Sequence, residues 1–252
     1  MLTAQRKQLI IERLKQDGQI IAKNLAQELG TSEDTIRRDL RELAATGKLQ
    51  RVHGGALPAS EAVGDLRVRE QVSVQDKIEL GRAGAAMIKP GQVVILDGGT
   101  TSIQIARHLN PELKATVVTH SPNVAVELAA HRHVEIIMLG GRLFRHSMVN
   151  TGAAMIDAAS RLRADLFFMG VTGVHPQAGL STGDAEEASV KRFLIERAAE
   201  TVVLASAEKL MAASPFVIAT LTELALLIVP ANTEEKTMRL LRKSVKVEQA
   251  SK

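Results

Sequence analysis

Arg37, Arg38 and Arg41 lie close together in the segment Thr31-Ser-Glu-Asp-Thr-Ile-Arg-Arg-Asp-Leu-Arg41. A guanidinium is a planar fork of donors that suits phosphate oxygens and guanine edges, so such a cluster points to a nucleic acid. At about 100° per residue, a helix here puts Ile36, Leu40 and Leu43 in one apolar stripe and the arginines on the other side. Ser32 is placed to cap that helix, with Glu33 and Asp34 in a first turn where the helix dipole favours acids. The capping box is incomplete, because Thr35 stands where Glu or Gln would be expected. Taken alone, the segment equally fits a solvated amphipathic helix.

A second set of residues suggests anion binding. Four loops combine glycines, hydroxyls and polar side chains: Asp97-Gly-Gly-Thr-Thr-Ser102, Thr119-His-Ser-Pro-Asn123, Gly140-Gly-Arg142 and Gly170-Val-Thr-Gly173. Glycines let backbone N–H groups approach an anion, hydroxyls add donors, and a helix start favours negative charge. Any one of these loops reads as well as a tight turn or a cap; together they favour a phosphorylated small molecule. None matches G-x-G-x-x-G or G-x-x-x-x-G-K-[ST], which argues against dinucleotide and P-loop nucleotide sites.

The elements that must position these residues follow from periodicity. Leu9, Ile10 and Leu14 predict a first helix, and Leu25, Ala26 and Leu29 a short second one. Gly30 then breaks the chain just before the Ser32 cap. That is a helix-turn-helix pattern. Gly47 can end the third helix, and Lys48 to His53, closed by Gly54-Gly55, leaves room for a small wing. Its alternation is imperfect, since Leu49 and Val52 would face opposite ways.

Leu57 to Gly64 is small, polar and aperiodic, and reads as a linker. Beyond a helix over Val74 to Ile88 the pattern alternates strand and helix. Strands are expected at Val93–Leu96, Thr116–Thr119, Val134–Leu139, Leu166–Met169, Thr201–Leu204 and Leu224–Val229. Helices are expected at Ser102–Leu109, Val124–Ala130, Ala153–Leu162, Glu186–Ala199 and Glu234–Leu241. Such alternation, with nearly continuous apolar strands, predicts an α/β domain with a buried, mostly parallel sheet. The four polar loops would lie beyond the carboxyl ends of those strands, where ligands gather. The expected division is 1–57 for the winged helix-turn-helix, 58–73 for the linker and 74–252 for the α/β domain.

Composition narrows the classes. The 252 residues carry a net charge of +4, and residues 1–56 hold ten Lys and Arg against seven Asp and Glu. Most of the excess therefore sits in the first quarter of the chain, which fits a polyanion partner for that end. There is no cysteine, hence no disulfide or thiolate metal site, and a reducing cytoplasm is the simplest compartment. Tyr and Trp are absent and only five Phe are present, which disfavours single-stranded RNA recognition by stacking. No apolar signal region opens the sequence, and its apolar runs are too short to span a bilayer. His131 and His133 lack a third metal ligand nearby. No cofactor is expected.

Both halves resemble one family, the DeoR-type bacterial transcriptional regulators. The resemblance rests on Thr35-Ile-Arg-Arg-Asp-Leu40 and Arg51-Val-His-Gly-Gly-Ala56 in the N-terminal part. In the remainder it rests on Leu96-Asp-Gly-Gly-Thr-Thr101, Leu139-Gly-Gly141, Asp165-Leu-Phe-Phe-Met-Gly170 and Val190-Lys-Arg192. It implies a winged helix-turn-helix followed by a Rossmann-like sensor domain similar to ribose-phosphate isomerase and glucosamine-phosphate deaminase. The implied function is a repressor of carbohydrate catabolic genes, binding a double-stranded DNA operator as a dimer or tetramer and answering to a sugar phosphate.

By this resemblance Arg37, Arg38 and Arg41 would meet DNA, with Ser32 and Thr35 near the helix start and Lys48, Arg51 and His53 on the wing. Gly99, Thr100, Thr101, Thr119 and Ser121 would cradle the effector phosphate, with Gly170 in the loop opposite. Gly141 and Arg142 would border the sugar. Lys191 would add a cation, or be a solvated helix lysine; Asp97 would bond sugar hydroxyls, or cap the next helix. The chain departs from the family at His120, where Asn is usual, which bears on effector choice. It departs again at Ser206-Ala-Glu-Lys209, which keeps a lysine and loses an acid, and at Pro230-Ala231, in place of Thr-Asp.

Two other functions fit parts of the sequence. One is a sugar-phosphate isomerase or deaminase with a DNA-binding appendage. It needs a positioned acid or base, yet Gly170 to Gly173 holds no carboxylate where the isomerases carry them. Asp184, Glu186 and Glu187 could equally form the first turn of a helix, and a lone loop histidine such as His175 is more often a surface residue. The other is an architectural DNA binder, which would have no need of an anion-shaped pocket.

Overall fold

A computed structural model describes residues 2–251. The N-terminal part runs α1 (Thr3–Asp17), β1 (Ile20–Ile21), α2 (Ala22–Glu28), α3 (Glu33–Ala45), β2 (Leu49–Val52) and β3 (Gly55–Pro58). Ile10, Leu14, Leu25, Ile36, Leu40, Leu43 and Leu49 form its core. The helices thus bury the stripes their spacing predicts, except at Leu9, which is half-buried and lies outside the core. Strands β2 and β3 pair antiparallel, Leu49 opposite Pro58 and Val52 opposite Gly55. The imperfect alternation is explained by the wing's shape: Leu49 is buried at its base, whereas Val52 is exposed near its tip. The third strand, β1, pairs with β3 and is too short to leave a periodic signal. A Cβ at Gly55 would sit 1.7 Å from the Ile20 carbonyl oxygen, so that contact admits only glycine.

The 58–73 segment, expected to be a linker, is folded. It holds a 3-10 turn (Glu61–Val63) and a short helix α4 (Leu66–Glu70) capped by Asp65. Leu66 is buried, the Ser60 hydroxyl donates to the Thr172 carbonyl, and the Ala213 N–H bonds the Pro58 carbonyl at 3.1 Å. These contacts are all long-range, which is why no local period announces them.

The second part continues with α5 (Val74–Met87), β4 (Val93–Leu96), α6 (Thr100–Arg107), β5 (Ala115–Thr119), α7 (Pro122–Leu128) and β6 (Val134–Met138). There follow β7 (Arg142–Phe144), β8 (Val149–Thr151), α8 (Ala153–Ala159), β9 (Ala164–Met169), β10 (Gly173–His175), β11 (Gly179–Thr182) and α9 (Ala185–Ile195). The chain ends with β12 (Ala198–Leu204), β13 (Phe216–Ala219), β14 (Leu226–Val229), α10 (Glu235–Leu241) and β15 (Val247–Gln249). Seven strands form a parallel sheet in the order β15-β14-β12-β9-β4-β5-β6. Successive strand residues enter opposite cores: Phe167 and Ile95 pack in one layer, Phe168, Val94 and Leu96 in the other. Burial on both faces accounts for the continuous apolar strands.

The α/β expectation therefore holds, and the structure adds what polar, short strands conceal: the hairpin β7–β8, the small sheet β10-β11-β13 and the edge strand β15. From β4 the chain moves to β5 and β6 on one side, then returns to β9 on the other. Such a reversal opens a crevice at the carboxyl ends of the two adjacent strands. Among the described residues no helix is long and apolar enough to cross a membrane.

Candidate nucleic-acid face and anion pocket

Helix α3 carries the first candidate site. The Ser32 hydroxyl accepts a hydrogen bond from the Thr35 N–H at 3.2 Å and meets Thr35 Oγ1 at 2.8 Å, fixing the helix start. Ile36, Leu40 and Leu43 anchor one side in the core. Asp39, wholly buried, is gripped by the Arg6 guanidinium of α1, which orients α3 further. Arg37 is exposed and pairs with Glu33 at 2.7 Å. Arg38 and Arg41 are exposed and form no ion pair among the described residues. Lys48, Arg51 and His53 are exposed along the wing. The domain thus presents unneutralised cations on a rigid helix, an arrangement suited to a polyanion groove.

The second site lies where β4 and β9 end. A pocket there is walled by the Gly98–Ser102 segment, by Met169 to Thr172, and by the side chains of Arg69, Lys77, Lys191, Lys209, Glu187 and Glu208. Gly99 serves as the N-cap of α6 at φ 117°, a backbone conformation that favours glycine, and so starts the helix at the wall of the pocket. Thr101 Oγ1 is buried and has no partner among the described residues. Lys209 is buried against the pocket, and burial, only partly offset by Glu208, pushes its amine down to about 8. Lys77 instead donates to the Arg69 and Val72 carbonyls and sits 3.9 Å from Glu208. Glu208 accepts from Ser206 at 2.6 Å through one oxygen; its other oxygen is buried without a partner among the described residues.

Behind the pocket floor stands Asp97, with no solvent exposure. Its carboxylate accepts from the Gly98 N–H at 2.7 Å, the Gly170 N–H at 2.8 Å, His120 Nε2 at 2.7 Å and the Lys191 ammonium. Burial alone would raise this carboxyl, but Lys191 and His120 outweigh it and hold it well below the ordinary carboxylate range. Asp97 therefore ties the β4 loop, the β9 loop and α9 together. It neither caps α6 nor offers a free oxygen to a sugar. Lys191 is likewise buried, not solvated.

The structure gathers Gly99, Thr100, Thr101, Gly170 and Lys191 at one pocket. The other expected effector residues stand apart from its lining. Thr119 accepts from the Ser121 N–H at 3.1 Å, and Ser121 donates to the Met148 carbonyl at 3.0 Å. His120 bridges Asp97 and the Asn150 carbonyl. Gly141 packs against Thr151, and Arg142 is exposed and paired with Glu186. Asp184 caps α9 through the Glu186 and Glu187 N–H groups, so the acids do form a first helical turn; Glu187, however, is buried and lines the pocket. His175, expected at the surface, is buried on β10, where its Nδ1 accepts from the Gln177 and Ala178 N–H groups at 3.2 and 3.3 Å. Among the described residues no group of His, Asp or Glu has a metal-binding arrangement.

Arg69, Lys77, Ser147, Glu187 and Glu208 escape sequence reasoning as pocket residues. Arg69, Lys77 and Ser147 come from elements with no anion-loop signature; Glu187 was legible only as a first-turn acid, and Glu208 and Lys209 only as members of the Ser206–Lys209 run that departs from the family.

Comparison with known proteins places these two sites in context. Residues 6–62 match the DeoR-like helix-turn-helix domain, and residues 72–230 match the DeoR C terminal sensor domain. The chain is 35% identical over 231 residues to the HTH-type transcriptional regulator GlpR of Haloferax volcanii, covering 90% of each protein. It is 33% identical over 230 residues to the HTH-type transcriptional repressor GlcR of Bacillus subtilis, covering 90% of this chain and 88% of that one. The full-length Sorbitol Operon Regulator SorC from Klebsiella pneumoniae aligns over 93% of this chain and 98% of its own, at 12% identity and a TM-score of 0.42.

Proposed function

Since the chain belongs to the DeoR family of DNA-binding transcriptional regulators, we propose that it is a repressor of carbohydrate genes whose operator binding is controlled by a phosphorylated sugar in the pocket at the ends of β4 and β9. One observation carries the effector reading. The first turn of α6 holds a buried Thr101 hydroxyl that has no partner among the described residues, at a pocket in which Lys209 has no ion pair among those residues either. Buried polar groups are ordinarily satisfied, so an unmet donor beside a desolvated cation that Glu208 offsets only in part supports an anion at this place. A phosphate supplies the acceptor oxygens and charge; the Gly99–Ser102 N–H groups and Thr100 complete the cradle.

In this reading Arg38 and Arg41 enter the major groove, and a homo-oligomer places helices α3 of two copies in successive grooves. Effector and operator are linked by a coupling free energy of roughly 1–3 kcal/mol, acting reciprocally. We read the pocket as a binding site with no catalytic step: its loop Gly170–Gly173 holds no carboxylate, and Glu187 and Glu208 each accept a serine hydroxyl, from Ser147 and Ser206.

The test is a titration of the full chain onto DNA from upstream of its own gene, at fixed salt with unrelated DNA as control, repeated with a panel of sugar phosphates. Specific binding altered by one ester is the expected result. Specific binding that no ester changes refutes the effector reading, and turnover of an ester refutes the non-catalytic one.

A further inference from the structure

Arg69 stands outside every loop that resembles an anion site. It belongs to α4, in the segment that joins the wing to the sheet, eleven residues beyond Pro58. Its side chain nevertheless reaches the anion pocket and also borders a second cavity of about 460 Å³, whose wall includes Phe144, His146, Asp184 and Pro215. Among the described residues its side chain makes a single hydrogen bond, to Ser147 Oγ at 3.3 Å, and its Nε is buried with no partner. Burial pushes its pKa down, and the charges of Glu187, Asp97 and Asp65 offset this only in part. A desolvated guanidinium with an open donor and incomplete neutralisation is what a bound phosphate would complete, through the paired N–H fork that lysine lacks.

The backbone around Arg69 is held from the same side. The Lys77 ammonium binds the carbonyls of Arg69 and Val72, the Leu66 N–H bonds the His146 carbonyl at 3.0 Å, and Ser60 bonds Thr172. Thr172 and Ser147 line both cavities. The wall of the pocket is therefore continuous, by hydrogen bonds, with the chain that leads to the DNA-binding domain.

We infer that Arg69 is an effector-binding residue: it grips the ligand's phosphate from the interdomain side, so that occupancy of the pocket ties α4 to the ends of β4 and β9. The effector's remaining carbons then extend past Arg69 and Glu187 into the second cavity. The inference rests on the anion-pocket reading above and goes beyond it, because it makes the connecting segment part of the site. It supplies the contact by which the sensor half acts on the DNA-binding half.

The experiment compares wild type, R69Q and R69K as full chains. Inorganic phosphate, glycerol phosphate and a set of hexose phosphates are titrated calorimetrically, and amide hydrogen exchange over residues 66–73 is followed with and without each probe. A wild-type far-UV circular dichroism spectrum and a cooperative melt show that a variant is folded. The expected result is that a probe binds wild type and slows exchange over 66–73. R69Q should bind it at least tenfold more weakly without that protection, and R69K, which keeps the charge and loses the fork, should fall between. Wild-type affinity in R69Q, or protection of 66–73 that survives in it, overturns the inference while leaving the pocket reading intact. Failure of every probe to bind wild type overturns the pocket reading itself. Should R69Q not fold, R69K decides alone: wild-type affinity and protection in it overturn the inference, and a severalfold loss supports it.

Discussion

Replacing Asp97 by Asn should unravel the sensor half more than any exposed charge change, for reasons that can be worked from its contacts. The carboxylate accepts four donors: two backbone N–H groups, His120 and the Lys191 ammonium. An amide keeps one acceptor oxygen and sets an NH2 against the remaining donors, and it leaves the Lys191 charge buried and unpaired. Breaking a buried pair from one side costs about 3–5 kcal/mol. In a domain of this size 1 kcal/mol moves Tm by about 2–4 °C, so D97N should melt roughly 6–20 °C below wild type. Thermal unfolding followed by far-UV circular dichroism at pH 7 reads this directly. K191M should be comparably destabilised, and D97N/K191M should regain part of the loss, because no uncompensated charge remains. The effect has a defined pH window. The folded-state pKa of Asp97 lies below the unfolded value of ~3.9, so its stabilisation is complete above that pH and is lost as pH falls toward the folded value. The gap between wild type and D97N should accordingly narrow in acid. A D97N melt within about 1 kcal/mol of wild type, the worth of an exposed ion pair, would refute the argument that this carboxylate is a desolvated anchor. So would a double variant as unstable as the two single losses combined.

The remaining expectations concern the two sites. R38A should weaken specific operator binding by about 1–3 kcal/mol if Arg38 reads a base, with a smaller effect on unrelated DNA; a uniform loss would make it a phosphate contact, and competition binding at fixed salt separates the two. T100A/T101A should abolish the response to the effector while operator affinity stays at the wild-type value, and a retained response would rule out this phosphate cradle. Phosphate-ester affinity should fall as pH rises through about 8, where the Lys209 ammonium loses its proton, and K209M should bind weakly with a flat profile by calorimetry. The same depressed amine makes the unfolded chain the stronger proton binder between pH 8 and ~10.4, so unliganded wild type should gain stability relative to K209M across that window. S32A, which deletes the acceptor for the Thr35 N–H, should cost about 1 kcal/mol in the melt of the DNA-binding domain.

Much of this architecture was legible in local pattern. The stripe of Ile36, Leu40 and Leu43, the Ser32 cap and the exposed arginines all lie within one helix, where a spacing of three and four residues is itself a statement about faces. The apolar strands Val93–Leu96 and Leu166–Met169 announced a sheet buried on both sides, and the Asp97–Ser102 run announced an anion loop, because each is written in consecutive residues. Tertiary structure alone decided which of those residues share a pocket. Thr119 and Ser121 carry the same hydroxyls as Thr100 and Thr101, yet Thr119 accepts from the Ser121 N–H, Ser121 donates to the Met148 carbonyl, and His120 between them bridges the Asn150 carbonyl and Asp97. Arg69, Glu187 and Lys209 reach the pocket from a connecting helix, a helix start and a 3-10 turn after β12, separated by more than a hundred residues of chain in the case of Arg69 and Lys209. Sequence spacing records what a single element does with its neighbours in the chain. The charge balance of a buried pocket is set by groups that meet only when the sheet has brought its loops together, and no local period encodes that meeting.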